Sequence, residues 1–542
     1  MAKSFYLTTT LPYVNADLHM GHALEFVRAD IVARHKKIQG YEVFFNTGTD
    51  EHGMKIFEKA QESGFDPQEF VDQSFERFKS SVEIFGLDSD VHYIRTTDSA
   101  HQSAAQEFWK RCYDNGYIYK KNYEAKYCVG CEEVKTDSEL VDGMCTIHPG
   151  KPLQTISEEN YFFRYSAFTE KLTAFYNEHS NFVVPDFRFN EIKAFVARGL
   201  EDFSISRLKT KMSWGIPVPG DEDHVMYVWF DALTNYISTL GWFIPASEPA
   251  PHKAKAHRGI HAEPSIQAPT EDLFEKYWVS GTPTQYCGKD NLRFQAAMWQ
   301  AMLMAAKVPN SYQIIINGFI TGDGGVKMSK SLGNVVDPKE VVKEYGTDAL
   351  RLFLAKEVSN FEDSPFTIER FKDAYNANLA NGLGNLLSRT LTMASTLGGT
   401  IKKHDPIKIF HKVEGFGTVE QIESPTIDEH IQNVSIPGYE SAFAKYELNQ
   451  AANHVWQLIT LLDQTIARTE PYKLIKTNPD QAEAILYDIL CGLSVVAKLL
   501  EPILPATSAT MMEHLGIGIA AVSRPEAFII QKFDSPLFPR KQ

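Results

Sequence analysis

The sequence predicts an α/β fold in which a parallel sheet is split by an inserted domain and followed by a helical bundle. Three observations predict it. From residue 6 to about 112, β-rich runs alternate with helical ones, as in a parallel sheet covered by helices. Between about 116 and 225 the pattern is irregular and contains a cysteine cluster. Beyond about 365 the strand signals fade, and long amphipathic segments indicate a helical bundle.

The composition is typical of a globular protein with several domains. The chain has 542 residues, of which 43% are hydrophobic and 12% aromatic, and this length predicts roughly three or four domains. The sequence contains no run of about 18 apolar residues, so we expect a cytoplasmic protein without a membrane span. The net charge of −15 argues against a protein that coats nucleic acid indiscriminately. Six cysteines in such a length do not form a disulfide framework.

The first half of the sheet begins with a predicted strand at 5–10 and a helix that stops at Gly40. The helix has Leu24, Val27 and Ile31 on one face, and two lysines precede the terminating glycine. Residues 41–45 predict a second strand, and Asp50 follows its carboxyl end. Because open α/β sheets place ligand-binding loops at that edge, Asp50 is a candidate site residue.

The sheet pattern resumes at Val225 and is interrupted at 245 to about 270, where Pro, Ala and His predict a surface excursion. Residues 312–320 predict a β-branched strand, followed by a glycine turn at 322–325. Asp337 and Pro338 then predict a helix start, with an aspartate as N-cap and a proline in the first turn.

The helical part contains predicted amphipathic segments at roughly 368–397, 440–469 and 479–501, and an extended connection at about 403–437. We therefore divide the chain into five parts. Two halves of the sheet domain lie at 1–115 and 226–325, the insertion at 116–225, a linking subdomain at 326–365 and the helical domain at 366–542.

Two short motifs predict a nucleotide-activating site. His19-Met20-Gly21-His22 opens the first helix, where free N–H groups and two imidazoles suit phosphate. A side chain at Gly21 would obstruct the nucleotide. Lys327-Met328-Ser329-Lys330-Ser331 follows the glycine turn and adds two ammonium groups. Each motif alone has a simpler interpretation, as a polar helix cap or a solvated loop, but together they indicate an ATP polyphosphate.

The spacing Cys128-x2-Cys131-x13-Cys145-x2-His148 predicts one structural zinc ion. Three thiolates and an imidazole match tetrahedral zinc, with no position left open for water. The alternative, three unrelated buried cysteines, does not explain two pairs with identical spacing. The other cysteines, Cys112, Cys287 and Cys491, lack such company, and we expect them to be core thiols.

With these two motifs the chain resembles the class I aminoacyl-tRNA synthetases, in which they form the ATP site of a Rossmann-like domain. Within this class it is similar to the methionyl-tRNA synthetases over essentially the whole chain. The similarity is carried by the zinc knuckle and by the stretches 11–15, 47–53, 204–207, 228–232 and 288–290. It implies that the helical part is an anticodon-binding domain.

The resemblance also implies residue roles. Asp50 would bind the methionine ammonium, Asp290 the ribose hydroxyls of ATP, and Arg207 the substrate carboxylate or the phosphates. The nucleotide would also contact Gly21, Gly288, Met328, Ser329 and Ser331. The methionine side chain would lie among Leu11, Tyr13, Trp229, Ala232, Tyr236, Asn291 and Gln295. Aromatic walls suit a soft thioether, but Trp229 and Tyr236 alone also fit ordinary core packing.

Two departures from the family pattern concern substrate recognition. The family usually has an apolar residue and then a histidine where this chain has Asn291 and Gln295. Glutamine can still hydrogen-bond a neighbouring tyrosine, but it does not titrate near neutral pH. Asn385 and Arg389 match the family's anticodon-reading pair, whereas Tyr472 replaces a tryptophan. We expect Tyr472 to stack on an unpaired base with less contact area, although ordinary packing and solvation explain all three.

A member of this family would activate methionine with ATP, release pyrophosphate, and transfer methionine to the 3′ adenosine of tRNA(Met). His19 and His22 would donate to the phosphates, while Lys327 and Lys330 hold the leaving pyrophosphate. Mg²⁺ is expected to accompany ATP, and the expected state is a monomer. Two alternatives stay open: a nucleotidylyltransferase that shares the first motif, and a non-catalytic tRNA-binding descendant.

Overall fold

The computed structural model describes residues 3–131, 133–135, 140–148, 152–243, 272–326, 336–415, 418–518, 524–532 and 535–542. The chain divides into two compact units. The first comprises Met1–Leu18, Lys36–Glu83 and Leu87–Asn317, and the second comprises His19–His35, Ile84–Gly86 and Gly318–Gln542. The five domain bounds drawn from the sequence stay a prediction. The stretch at 245–270 and the lysine motif at 327–331 lie outside the described residues.

Short strands and helices alternate in the described chain up to residue 317. The strands are β1 Ser4–Thr9, β2 Glu42–Thr49, β3 His92–Arg95, β4 Ile118–Cys128, β5 Glu133–Lys135, β6 Leu140–Val141, β7 Met144–Cys145, β8 Gln154–Phe163, β9 Val183–Val184, β10 Phe203–Ser204, β11 Ser206–Leu208, β12 Pro217–Val218, β13 Asp221–Met226, β14 Thr282–Gly288 and β15 Gln313–Asn317. The α-helices are α1 Met20–Ile38, α2 Met54–Ser63, α3 Pro67–Ile84, α4 Ser99–Asp114, α5 Thr169–Glu178, α6 Asp186–Ala197, α7 Val228–Leu233, α8 Asn235–Ser238 and α9 Trp299–Ala306.

Six strands of the first unit form one sheet in the order β3-β2-β1-β14-β15-β9, and all of its neighbouring strands pair in parallel. β1 lies between β2 and β14, so the strand order reverses at this central strand: β2 and β3 lie on one side, and β14 and β15 on the other, with β9 at the far edge. Ligands bind beyond the carboxyl ends of an open parallel sheet at such a reversal of strand order. The loops after β1, β2 and β14 reach that edge, which confirms the Rossmann-like sheet.

The predicted insertion contains antiparallel strands, which the irregular sequence pattern did not specify. β4 and β8 form a long pair within a sheet of the order β10-β8-β4-β5. β11, β13 and β12 form a second antiparallel sheet, and β6 pairs with β7. Because Cys128 ends β4 and Cys145 lies in β7, these strands carry the cysteine cluster.

Aromatic side chains fill much of the core of the first unit. Phe108 and Trp109 of α4 pack edge-on against Phe230 of α7, with ring centroids 5.8 and 5.1 Å apart. Phe108 also stacks on Trp299 of α9 at 5.4 Å. Each such pair contributes about 0.5–1.5 kcal/mol of stabilisation beyond that from burying its apolar area. Cys112 and Cys287 are buried in this core, which confirms them as core thiols.

The second unit is mainly helical. Its strands are β16 Ile320–Thr321, β17 Ser364–Pro365, β18 Thr400–Lys402, β19 Ile409–Gly415, β20 Thr418–Ser424 and β21 Ala527–Ile529. Its α-helices beyond residue 317 are α10 Pro338–Tyr345, α11 Thr347–Leu352, α12 Ile368–Ala374, α13 Asn385–Thr396, α14 Ile427–His430, α15 Ile436–Ala444, α16 Leu448–Thr469, α17 Pro471–Thr477, α18 Pro479–Leu500 and α19 Pro505–Leu515.

The helical bundle is confirmed. α16 packs against α15 and α18, and α18 also packs against α17 and α19. A π-helical segment, Tyr375–Gly384, joins α12 to α13, so the segment predicted at 368–397 is helical throughout. Asp337 caps α10 as predicted, because its Oδ1 accepts from the Lys339 backbone N–H at 2.8 Å. Cys491 is buried in α18.

Two predictions in this part of the chain were wrong in detail. The strand predicted at 312–320 ends at Asn317. At Gly318 the backbone passes close to residue 362, where an added Cβ would lie 2.1 Å from the Glu362 carbonyl oxygen. Only glycine allows the two backbones to approach so closely. The extended connection predicted at 403–437 contains the antiparallel pair β19 and β20, which runs from Ile409↔Ser424 to Gly415↔Thr418. Across the described residues we find no helix with the length and apolar character of a membrane span.

Candidate active site

The histidine motif lies where α1 begins. The His22 Nδ1 accepts from the His19 backbone N–H at 3.2 Å, and the His19 Nδ1 accepts from the Gly21 N–H at 3.1 Å. The two rings stack with centroids 3.8 Å apart. A Cβ at Gly21 would lie 3.0 Å from the His19 Cε1, so glycine also leaves room for the ring beside the first turn.

These contacts fix the donor atom of each imidazole. Because Nδ1 accepts in both rings, a neutral ring carries its hydrogen on Nε2. Burial, and then the neighbouring His19, hold the pKa of His22 well below its usual range. His22 is therefore neutral at pH 7 and can donate from Nε2 to an anion at the helix N-terminus.

Asp50 lies at the carboxyl edge of the parallel sheet, directly after β2. Its backbone N–H donates to the Pro12 carbonyl at 3.1 Å, and Tyr13 and Asp50 form a parallel bridge. The structure thereby brings together the loop after β1, with Leu11 and Tyr13, and the loop after β2. Leu11 and Asp50 are buried, and Asp50 retains only 3% exposure. A charged partner bound here would be largely desolvated.

Glu51, the neighbouring carboxylate, is fully engaged by protein groups. Its Oε1 accepts from Thr49 at 2.7 Å and from the Arg95 guanidinium at 2.8 Å. Its Oε2 accepts from Thr97. Burial raises the pKa of Glu51, although Arg95 opposes this effect. Of the two adjacent acids, Asp50 is therefore the better candidate for an external cation.

The predicted side-chain pocket is carried by two short helices. α7 provides Trp229 and Ala232, and α8 provides Tyr236. The Trp229 ring stacks on Phe294 with centroids 3.9 Å apart and planes 8° apart. Ala232 and Tyr236 are buried, and the Tyr236 carbonyl accepts from the Tyr6 hydroxyl at 2.8 Å. The pocket residues thus have fixed neighbours.

Gln295 belongs to a directional chain of hydrogen bonds that ends at the Tyr236 hydroxyl. Its Nε2 donates to the Tyr236 hydroxyl at 2.5 Å, and its Oε1 accepts from the Gln285 Nε2 at 2.6 Å. The Gln285 Oε1 in turn accepts from Ser311 at 2.7 Å, and Ser311 Oγ accepts from Gln300 at 3.1 Å. The four polar side chains that form this chain with Tyr236 are all buried: Gln285, Gln295, Gln300 and Ser311. A satisfied buried network of this kind holds its members in one orientation.

The loop after β14 carries the predicted ribose site. Gly288 ends the strand, and Asp290 and Asn291 lie in the 3-10 turn Lys289–Asn291. The Asn291 Nδ2 donates to the Asp290 Oδ1 at 3.3 Å. This loop reaches the same sheet edge as the loops after β1 and β2.

Arg207 lies on β11 and is held by its own neighbourhood. Its Nη1 donates to the Ser204 hydroxyl at 3.0 Å and to the Ser206 carbonyl at 2.8 Å. The guanidinium carbon lies 4.9 and 5.1 Å from the ring centroids of Tyr127 and Tyr227. Two tyrosine faces stabilise a cation, and they orient it without neutralising it.

The four predicted metal ligands come together. Cys128, Cys131, Cys145 and His148 each offer one ligand atom, and these atoms all lie within 4.8 Å of one another. The Cys131 Sγ lies 3.5 Å from the Cys145 Sγ and 3.2 Å from the His148 Nδ1. Thiolate and imidazole donors at these separations could hold a metal ion.

Asn385 and Arg389 occupy one exposed face of α13, one helical turn apart. The Arg389 Nη1 donates to Asp463 at 3.1 Å. Tyr472, on α17, is 47% exposed, and its hydroxyl donates to Glu470 at 3.0 Å. α13 packs against α17, so this helical domain offers a polar pair and an exposed ring on neighbouring helices.

Two family models match this chain. A family model described as tRNA synthetases class I (M) matches residues 5–148 and 130–391. A second, described as the anticodon binding domain of methionyl tRNA ligase, matches residues 417–532.

Relatives match nearly the full length of the chain. The methionine–tRNA ligase of Caldanaerobacter subterraneus subsp. tengcongensis is 38% identical over 523 residues, 95% of this chain and 74% of its own. That of a Nostoc species is 37% identical over 522 residues, 95% of this chain and 91% of its own. The solved Mycobacterium tuberculosis methionyl-tRNA synthetase in complex with methionyl-adenylate has a TM-score of 0.85 at 33% identity, covering 99% of this chain and 100% of that one. The chain belongs to the methionyl-tRNA synthetase family of class I.

Proposed function

We propose that this protein is a methionine–tRNA ligase, which uses ATP to form methionyl-adenylate and then transfers methionine to the 3′ adenosine of tRNA(Met). The observation that carries the proposal is the edge of the parallel sheet, where the loop with Asp50 meets the loop with Leu11 and Tyr13. The family membership supports the same reaction.

In the first step, the methionine carboxylate attacks the α-phosphorus of ATP, and the bond to the β-phosphate breaks as pyrophosphate leaves. We assign the ammonium to Asp50 and the ribose to Asp290, with Gly288 beside the nucleotide. His19 and His22 donate from Nε2 to the phosphates, and Lys327 and Lys330 stabilise the leaving pyrophosphate. Mg²⁺ bound to ATP would neutralise the negative phosphate charge that these four side chains do not compensate.

In the second step, a ribose hydroxyl of the terminal adenosine attacks the carbonyl of the adenylate, and AMP leaves. We assign Asn385 and Arg389 to the anticodon bases and Tyr472 to stacking. The exposed ion pair between Arg389 and Asp463 would exchange for contacts to a base. An exposed ion pair contributes little to stability in water, so breaking it to contact a base costs little free energy. The cytoplasmic location and the monomeric state stay predictions.

We expect the substitution Gln295→His to make methionine recognition depend on pH. In the natural chain, Gln295 donates to Tyr236 and accepts from Gln285, and neither amide titrates. The KM for methionine should therefore change less than about twofold between pH 6 and 8. A protonated histidine donates from both nitrogens and cannot accept from the Gln285 amide, so in the variant KM should rise as pH falls.

The measurement is the KM for methionine in ATP–pyrophosphate exchange at several pH values, with the KM for ATP as internal control. Equal pH profiles for both proteins would contradict the assignment of Gln295 to the methionine pocket.

We assign one structural zinc ion to Cys128, Cys131, Cys145 and His148. The four donors are three sulfurs and one imidazole nitrogen, the set that zinc prefers in closed sites. Bound zinc would tie β4, β7 and the loop at His148 together. Its contribution is to the fold of the insertion, because four protein ligands leave no position for a substrate.

Replacing Cys128 by serine is expected to remove about one equivalent of zinc from the purified protein and to lower the melting temperature. Metal analysis of the two proteins tests this directly. Cys112→Ser is the matched control, because this buried thiol lies outside the cluster and its loss should leave the metal content unchanged. An unchanged zinc content in the Cys128 variant would contradict the assignment of the zinc site.

The proposed function is tested by incubating the protein with labelled methionine, ATP and total tRNA. Methionine should become attached to tRNA, and the bond should be labile to mild base, as expected for an ester. A nucleotidylyltransferase would give no charged tRNA, and a non-catalytic tRNA-binding descendant would bind tRNA without consuming ATP.

A further inference from the structure

Asp231 is a buried carboxylate that is hydrogen-bonded to two imidazoles. Its Oδ2 lies 2.7 Å from the His52 Nδ1, and its Oδ1 lies 2.8 Å from the His101 Nε2. The second ring nitrogen of His101 lies 2.8 Å from the Ser238 hydroxyl. Asp231 is fully buried, and the two histidines keep at most 4% exposure. Burial opposes ionisation of Asp231, but His52 and His101 nevertheless lower its pKa.

The ionised carboxylate fixes the hydrogen positions of both rings. A carboxylate only accepts, so the His52 Nδ1 and the His101 Nε2 both carry hydrogens. A charge of this kind is costly to bury unless all its partners are in place. The network is therefore either complete or strongly destabilised, and none of its members takes part in the reaction assigned above.

The network joins three elements of the first unit. His52 lies two residues after Asp50 in the loop beyond β2, His101 belongs to α4, and Asp231 belongs to α7. α7 also carries Trp229 and Ala232, and Ser238 ends α8, which carries Tyr236. One end of the network thus holds the loop of the ammonium site, and the other end holds the helices of the side-chain pocket.

Glu51, the residue between Asp50 and His52, is anchored as well. Besides its side-chain partners, the Glu51 carbonyl accepts from the Trp214 indole N–H at 2.6 Å, and its N–H donates to Thr96 at 2.9 Å. The Trp214 ring also lies 5.4 Å from the His52 ring. Asp50 is therefore followed by two immobilised residues, of which His52 bonds to the pocket helix α7.

We propose that Asp231, His52 and His101 are positioning residues that hold the Asp50 loop at a fixed distance from the side-chain pocket. The inference rests on the proposed function, which assigns the ammonium to Asp50. Because of this fixed distance, one methionine molecule can bind both subsites at once. Once it is bound at one subsite, binding at the other costs little additional entropy. Loss of the network should weaken ligands that use both subsites and spare ligands that use only the pocket.

Two ligands separate these effects: methionine, and 4-(methylthio)butanoate, which lacks the amino group. In Asp231→Asn, the carboxamide oxygen accepts from one imidazole N–H, but the carboxamide NH2 can only donate. The second imidazole therefore loses its hydrogen bond or must move its hydrogen to the other ring nitrogen. In His101→Leu the donor is absent, whereas in His101→Gln the amide N–H replaces it. We expect the Kd for methionine to rise about tenfold in Asp231→Asn and His101→Leu, and less than twofold in His101→Gln. The Kd for 4-(methylthio)butanoate should change less than twofold in all three.

Calorimetric titration of the full chain gives both dissociation constants, and melting curves identify a variant that fails to fold. Asp221→Asn is the matched control, because Asp221 lies 3.1 Å from the buried His224 but touches neither subsite. It should leave the ratio of the two constants unchanged. Equal weakening of both ligands, or equal behaviour of His101→Leu and His101→Gln, would overturn the inference. If the natural protein itself does not prefer methionine to the deamino analogue, it is the assignment of Asp50, and with it the proposed function, that fails.

Discussion

Replacing Asp50 by alanine is expected to weaken methionine binding by two to three orders of magnitude, roughly the effect of removing one partner from a buried charge pair. The affinity for ATP should stay the same. Asp50 lies almost completely buried at the sheet edge, and Glu51 cannot take its place because Thr49, Arg95 and Thr97 occupy its oxygens. The bound ammonium would therefore have no substitute partner.

Equilibrium titration with methionine and with ATP measures the effect. Asp17→Ala is the matched control, since Asp17 lies in the loop between β1 and α1, which meets the Asp50 loop at Tyr13. Asp17 is exposed, with its carboxylate 3.8 Å from Arg77. Its removal should leave both affinities within about twofold. A methionine affinity that survives in Asp50→Ala would place the ammonium elsewhere.

Replacing Lys330 by alanine is expected to slow adenylate formation by about two to three orders of magnitude, comparable with the loss of one preorganised donor to a developing charge. Methionine affinity should hardly change, because the lysine acts mainly on the leaving pyrophosphate in the transition state. Single-turnover formation of adenylate measures the rate, and titration of methionine measures the ground state.

The control is Lys339→Ala, a lysine in the first turn of α10 whose backbone N–H, not its side chain, bonds to the Asp337 cap. Both rate and affinity should survive this change. If Lys330→Ala instead lost methionine binding and rate in equal proportion, the lysine would belong to the amino acid site, and its assignment to pyrophosphate would be wrong.

Local patterns account for the parts of the fold that the sequence predicted well. α1 and the long helices α16 and α18 follow from apolar residues repeating every three to four positions, and the cap of α10 follows from Asp337-Pro338. The pair β19 and β20 was missed, although β19 ends at a glycine, Gly415. The apolar residues of this stretch, such as Val413 and Val419, are interrupted by charges, so that no clear alternation with a period of two appears.

The site could be predicted only where its residues are close together in the sequence and form a recognisable motif. His19 to His22 and the cysteine pairs can be recognised without a structure. The partners of Asp231 cannot, because His52 lies 179 positions before it and His101 lies 130 positions before it. A histidine and an aspartate at such separations carry no local signal. The Gln285–Gln295 contact spans ten positions, but it depends on where β14 ends and the π-helical turn Phe294–Met298 begins.

Amino-acid-dependent exchange of labelled pyrophosphate into ATP, run with each of the twenty amino acids, tests the central claim most directly. We predict strong exchange with methionine and background exchange with the others, because only methionine satisfies both Asp50 and the pocket formed by Trp229, Tyr236 and Gln295. Exchange with no amino acid would contradict the ligase assignment. Exchange with a different amino acid would keep the class I reaction but contradict the methionine pocket, and would direct attention to Asn291 and Gln295.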